Sequence, residues 1–272
     1  MQNFSASPRE MFASFWRNRS LIKSLIEREV IGRYRGSVMG ILWSFINPLF
    51  MLAVYTFVFS VVFKARWHSE STSKAEFALV LFAGLIVFNF FAECVNRAPT
   101  LILSNVNYVK KVVFPLEILP IVSVGSALFH SIVSLAVWLL AYAFVFGTLH
   151  PSALLLPLIF LPLALLTAGT SWALASFGVF LRDAAQFIGI LTTVLMFLSP
   201  IFYPADSLPQ KYHHLLFLNP LTPAIEQTRA MLYWGTGLNL KIIIGYFIAS
   251  SVAAWIGFAW FQKTRKGFAD VI

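Results

Sequence analysis

Long apolar runs alternate along this chain with short stretches that hold most of its charge. A run of about 20 apolar residues crosses a bilayer as a helix. The pattern predicts six such spans, at about Val38 to Phe63, Phe77 to Val95, Leu116 to Phe146, Leu154 to Leu181, Ala184 to Ile201 and Leu240 to Phe261. Barrel strands would instead show alternating segments of about ten residues, a pattern these continuous runs do not have. Ahead of the first span, residues 9 to 35 are charged but periodic: Met11, Phe15, Ile22, Leu25 and Ile26 share one face, with Arg17, Glu27 and Arg28 opposite. That is the pattern of a helix lying in the membrane interface, either as a tether or as a moving part. Residues 203 to 236 hold Pro204, Pro209, Pro220 and Pro223 among aromatic, His and apolar residues. They are too polar to span and too apolar for water, so short re-entrant or interfacial helices are expected there. Pro48 predicts a kink in the first span, and Pro120, Pro157 and Pro162 allow breaks in the third and fourth.

The fold class read from this is all-α: a cytoplasmic N-terminal segment (1–37), a polytopic domain of six transmembrane helices (38–261) and a basic tail (262–272). Composition agrees. Hydrophobic residues make up 59% and charged residues 11% of 272, where soluble domains run near 45–50% and about 25%. A soluble globular protein is excluded. The net charge of +9 is explained by sidedness rather than by nucleic acid. With both termini cytoplasmic, 14 of the 20 Lys and Arg lie inside, among them Arg97, Lys110, Lys111 and Arg182, and only Lys64, Arg66, Lys74, Lys211, Arg229 and Lys241 lie outside. Basic residues collect on the cytoplasmic side, and an even number of spans agrees. The lone Cys94 excludes an intrachain disulfide and a multi-cysteine metal site. No short apolar core with a small-residue cleavage site precedes the first span, so that span reads as a retained anchor and not as a signal peptide.

Candidate chemistry is sparse. A phosphate-binding loop needs a glycine-rich turn followed by Lys, and the chain has no Gly-Lys dipeptide. Nucleotide is therefore expected on a partner. The histidines, His68, His130, His150, His213 and His214, lack the HExxH spacing of a zinc site. The pair His213 and His214 reads most simply as interfacial. Glu93 and Glu117 lie near cytoplasmic span ends, where snorkelling or pairing with Arg97, Lys110 or Lys111 would satisfy them. Acids at mid-membrane, which a proton-coupled carrier would use, are missing from the other spans.

Several short motifs in fixed order carry a resemblance. They are Arg33-Tyr34-Arg35-Gly36-Ser37 with Gly40, Trp43 and Asn47-Pro48; Val109-Lys110-Lys111-Val112-Val113-Phe114-Pro115-Leu116-Glu117; Arg182-Asp183; Ser199-Pro200-Ile201 with Tyr203; and Asn219-Pro220-Leu221-Thr222-Pro223 with Arg229. Together they resemble the permease subunits of polysaccharide ABC exporters of the O-antigen type, over nearly the whole chain. The resemblance implies a homodimer of permeases on two copies of a separate ATPase, which would carry the ATP and Mg. It would pass a lipid-linked polysaccharide, of undecaprenyl-diphosphate type, across the bacterial inner membrane. No cofactor is implied on this chain. Residues 9 to 35 would match the family's interfacial helix. The segment from Asn96 to Lys110 would match its ATPase-docking loop, offering Asn96, Arg97, Ser104, Asn105 and Asn107. Residues 205 to 235 would match the outer cap.

Aromatic faces stack on the C–H faces of sugars without demanding one hydroxyl pattern. Trp43, Tyr55, Phe59, Phe197 and Tyr203 on the first and fifth spans are the candidates for the conduit wall, although lipid-facing bulk and interfacial belts use the same residue types. Arg33 and Arg35 could contact a lipid diphosphate, and positive-inside bias accounts for them equally. Capsular polysaccharide or teichoic acid export is the alternative within the family. A membrane-embedded glycosyltransferase or polymerase is the alternative from another class, and it would need an acidic metal-binding cluster.

Overall fold

The computed structural model describes residues 5–63, 67, 74–110 and 114–272. Lys64, Arg66, His68 and Lys111, together with Val112 and Val113, lie outside the described residues. The chain opens with α1 (Pro8–Arg17), whose start is set by Ser7: its hydroxyl accepts the Glu10 N–H at 3.1 Å, with Pro8 in the first helical position. Asn18 separates it from α2 (Arg19–Tyr34), which stops before Gly36 at φ +86°, a conformation open to glycine. A tight turn at Gly40–Leu42 leads into α3 (Trp43–Tyr55), which continues as a wider π-helical turn over Thr56–Val62. Pro48 lies inside α3. The departures from α-helical hydrogen bonding flank it rather than coincide with it.

Next come α4 (Lys74–Leu101), a tight turn at Leu103–Asn105, α5 (Val106–Lys110), α6 (Ile118–Phe146), α7 (Pro157–Phe180) and α8 (Ala184–Leu198). The prolines leave α6 and α7 continuous. Pro120 falls in the first turn of α6 and Pro157 opens α7, positions where the missing N–H would have no helical acceptor anyway. Tight turns at Ala205–Ser207 and Gln210–Tyr212, then α9 (His213–Leu218) and α10 (Thr222–Leu232), occupy the segment expected to be re-entrant. The last long helix is α11 (Leu240–Thr264), followed by a turn at Arg265–Gly267 and α12 (Phe268–Val271). The described residues form helices and turns with no strand.

Among the described residues, five stretches are long and apolar enough to cross a membrane: Gly40–Phe59, Ala75–Leu101, Ile118–Phe146, Pro151–Phe180 and Leu240–Val271. The expected fifth span is the shorter α8, whose 15 residues reach about 22 Å against a hydrocarbon core of about 30 Å. Pro200 explains its early end, because the residue before a proline is pushed out of the helical region, and Ser199 is extended at ψ 146°. Apolarity carries the hydropathy signal on to Ile201, but the helix has already stopped.

The bundle is built around α4. From Phe77 to Val95 every residue is buried except Asn89, which is exposed, and Glu93, which is half-buried. A helix that is apolar on all sides belongs in the interior. The tightest crossing is between α7 and α11, where Gly169 lies against the backbone of Ala253 and Ala254, and Gly257 against that of Gly169. Small residues at such a crossing let the backbones approach, so that packing drives association in lipid. At the other crossing of α7, Gly178 sits under the carbonyl of Pro99 on α4. The basic tail is docked: Phe268 is fully buried against Phe180 and Phe261, and Lys110 of α5 donates to the Ile272 carbonyl at 2.7 Å.

Candidate functional site

At the end of the bundle away from α1, one guanidinium organises the cap. Arg229 on α10 is fully buried. Its Nε donates to the Val80 carbonyl of α4 at 3.0 Å, its Nη2 to the Ile201 carbonyl at 2.6 Å, and its Nη1 to the Pro200 carbonyl and to Glu226 Oε1 at 3.3 Å. The Trp67 ring lies 4.4 Å below. Gly84 makes room: a Cβ there would stand 2.8 Å from Arg229 Nη2. Asn219 completes the joint by donating to the Ser199 hydroxyl at 2.8 Å and accepting the Leu221 N–H at 2.9 Å. Two sequence motifs far apart in the chain thus meet as one structure. Burial lowers the Arg229 pKa to about 10, and Glu226 opposes the fall. Burial, aided by Asp206, raises Glu226 while Arg229 pulls it back.

Beside this joint, aromatic side chains from α3, α4 and the start of the cap converge. Phe59 packs on Tyr55, Phe77 and Phe202, with the Phe77 ring 5.2 Å away, and Tyr55 also meets Phe82. Phe202 stacks on Phe197 at 5.7 Å. The Tyr203 hydroxyl donates to the carbonyls of Phe197 and Leu198 at 3.3 Å. Phe59 and Phe197 meet at Phe202, Tyr55 joins them through Phe59, and Tyr203 bonds the backbone beside Phe197; Phe202 itself lies between Ile201 and Tyr203 of a motif singled out in the sequence, but is not among the chosen aromatics. Trp43 stands apart, 44% exposed at the other end of α3. The faces that α3 and α8 turn outward are rich in large apolar residues, including Phe45, Phe50, Phe57, Phe187 and Phe197.

At the end that carries α1 and α2, ion pairs and a hydrogen bond fasten α2 to the bundle. Arg33 meets Glu93 at 2.6 Å, Glu29 pairs with Arg97, and Arg28 donates to the Tyr108 hydroxyl at 3.0 Å. Ile22 and Leu25 of α2 pack on Ile118 and Val122 of α6. Arg33 is thus engaged inside the chain, whereas Arg35 is exposed and meets no carboxylate among the described residues. In α1, the hydrogen bond from Arg17 to Glu10 raises the Arg17 pKa.

Glu117 is buried at a three-way joint. It accepts the Ser14 hydroxyl of α1 at 2.9 Å and Arg265 at 2.6 Å, and its backbone carbonyl accepts the Trp172 indole N–H at 2.8 Å. Pairing was expected for both acids, but with Arg97, Lys110 or Lys111. The partners are Arg33 and Arg265 instead, because α2 and the end of α11 fold against them.

The expected docking residues divide. Asn96 and Arg97 lie within α4, which runs past the predicted end of its span, and both are tied to other helices. Asn96 accepts the Thr192 hydroxyl of α8 at 2.8 Å, and Arg97 holds Glu29. Ser104 and Asn105 cap the turn by donating to the Leu101 carbonyl. Asn96, Ser104 and Asn107 are the exposed members, and of these Asn96 is tied to α8.

Comparison with known proteins adds the family. The family described as ABC-2 type transporter matches residues 20–233. An O-antigen export system permease protein RfbA from Klebsiella pneumoniae is 28% identical over 255 residues, covering 93% of this chain and 95% of that one. A protein of the same name from Myxococcus xanthus is 28% identical over 259 residues, covering 93% and 96%. The polysialic acid transport protein KpsM of Escherichia coli is 25% identical over 255 residues, covering 90% and 93%.

Proposed function

The chain belongs to the ABC-2 type transporter family, and from that premise we propose that it exports a lipid-linked polysaccharide of O-antigen type across the bacterial inner membrane. It is the membrane subunit of a polysaccharide ABC exporter. The observation that carries this reading is likeness to O-antigen export permeases over 93% of the chain. In this reading two copies of the chain form the conduit and sit on two copies of a separate ATPase, which binds ATP and Mg and supplies the driving force. Both termini face the cytoplasm, with Ser104 and Asn107 offered to the ATPase. The outward apolar faces of α3 and α8 meet the second copy, and Tyr55, Phe59, Phe197 and Tyr203 provide sugar-stacking surface near the outer end.

Residues with buried partners act as struts. Arg229 fixes the cap on α4, and Glu117 fixes the interfacial helix on the bundle. Likeness to a polysialic acid transport protein supports one second reading, export of a capsular polymer through the same architecture.

Co-purification tests the proposal. A stable complex with an ABC ATPase, whose hydrolysis rises with a lipid-linked O-antigen, is the expected result. Transport by the chain purified alone would overturn it.

A further inference from the structure

Asn89 is the odd residue of α4. It lies near the middle of a 28-residue helix, about 18 Å from the Leu101 end, and it is exposed while its neighbours from Phe77 to Phe88 are buried. Its amide makes no hydrogen bond to any described residue. An unpaired amide in hydrocarbon carries its full desolvation penalty with no hydrogen bond to offset it, so lipid is the wrong solvent for this position. The same face continues at i+4, i+7 and i+11 with Glu93, Asn96 and Thr100, none of them buried. In the other direction the stripe closes at once, because Leu85 and Phe82 are each 3% exposed and Phe82 lies against Tyr55.

The stripe is also continuous with α8. Asn96 Oδ1 accepts the Thr192 hydroxyl at 2.8 Å, which leaves the Asn96 NH2 without an acceptor among the described residues, and the next residue, Thr193, is exposed. The Thr193 hydroxyl donates to the Gly189 carbonyl of its own helix at 2.9 Å and so offers the track its acceptor side. The charge of the stripe is balanced, since Glu93 pairs with Arg33 at 2.6 Å. A polar, neutral, amide-rich strip thus rises from the end carrying α1 and α2 to mid-membrane, and it stops where the aromatic cluster begins.

We propose that Asn89, Asn96 and Thr193 form a hydroxyl-binding track for the sugar chain, the polar lower part of a path whose upper part is aromatic. An amide presents a donor and an acceptor side by side, which matches two adjacent sugar hydroxyls. Such sites are individually weak, so the polymer slides from one to the next. The substrate class is an uncharged, hydroxyl-rich glycan segment. This inference rests on the export reading and adds where the polymer runs.

Single-cysteine accessibility in the permease–ATPase complex tests it, because the only native thiol, Cys94, is buried. Asn89→Cys is expected to react with a charged aqueous thiol reagent and to be protected by lipid-linked polysaccharide. Ile248→Cys, on an exposed apolar position of α11, is expected to stay unreactive. In cells making the polymer, the double change Asn89→Leu, Asn96→Leu is expected to slow export about thirtyfold, the loss of two hydrogen bonds of ordinary net strength. Asn89→Gln is expected to restore part of the single Asn89→Leu defect.

An unreactive Asn89→Cys in a complex that still exports overturns the track and leaves the export reading standing. So does normal export by the double Leu variant. So does a spontaneous disulfide between copies at Asn89→Cys without any export defect of Asn89→Leu, which would make the stripe a subunit contact. If the unmodified complex moves no polymer, the export reading itself fails.

Discussion

Replacing Arg229 with Met keeps bulk on α10 and removes the charge and its hydrogen bonds together. Val80 lies inside α4, where its carbonyl retains a helical partner. The carbonyls of Pro200 and Ile201 sit outside any helix, and they are left buried without a donor. At about 1–3 kcal/mol each they dominate the loss. Glu226 also loses its cation, but its side chain is 37% exposed, so solvent recovers much of that part. The total expected is about 3–5 kcal/mol, the range for breaking a buried pair from one side. Arg229→Lys is expected to fall between, because one ammonium cannot reach carbonyls on two separate segments as the planar fork does. Gly84→Ala supplies an independent probe, since its Cβ would crowd Arg229 Nη2 at 2.8 Å. Its cost, about 1–3 kcal/mol for overpacking, should nearly vanish in the Arg229→Met background. Denaturant titration of the purified chain in mixed micelles, followed by tryptophan fluorescence and by protease cleavage within 203–236, measures all four variants. A loss under about 1 kcal/mol for Arg229→Met, or full additivity with Gly84→Ala, would refute the account of the cap.

Gly257→Val is expected to push α11 from α7 and cost at least about 3 kcal/mol, since the new side chain meets the Gly169 backbone, which cannot yield as a side chain would; thermal aggregation in detergent reads it out. Glu117→Gln should cost about 3 kcal/mol by removing the carboxylate charge opposite Arg265, which is 12% exposed and keeps its hydrogen bond to the Phe114 carbonyl at 2.8 Å, and should free α1 to early proteolysis near Ser14. Glu226 binds its proton more tightly folded than unfolded, because its pKa is raised. Cap stability is therefore greatest below the ordinary carboxylate range and falls as pH rises through that raised value. Glu226→Gln should flatten this dependence in the same protease assay run across pH.

The spans were legible because hydropathy over 20 residues is a strong signal, and the cap was legible from four prolines in a polar–apolar mixture. Hydropathy does not separate lipid-facing from protein-facing residues, so nothing marked α4 as the central helix. The early end of α8 was missed for a similar reason: Ser199-Pro200-Ile201 is apolar enough to extend the run although Pro200 ends the helix. The acids were correctly read as paired, but Arg265 lies 148 residues from Glu117, and no local pattern reports such a partner. Of the aromatics proposed for the conduit, spacing on two spans brought four near one another and left Trp43 behind, since residues 43 and 55 are about three turns apart on one helix.

The joint at Glu117 also orders events in time. Its carboxylate binds a hydroxyl 103 residues upstream and a guanidinium 148 residues downstream. At roughly 5–20 residues per second of synthesis, Glu117 waits on the order of ten seconds for Arg265 after it has itself been made. During that interval the Glu117 carboxylate can bind Ser14 of α1 but has no guanidinium opposite it, and the nascent helices have no lock between first and last. Release of the final segment therefore acts as the closing step of assembly, and a chain cut short before Arg265 would enter the membrane with its interfacial helix still unfastened.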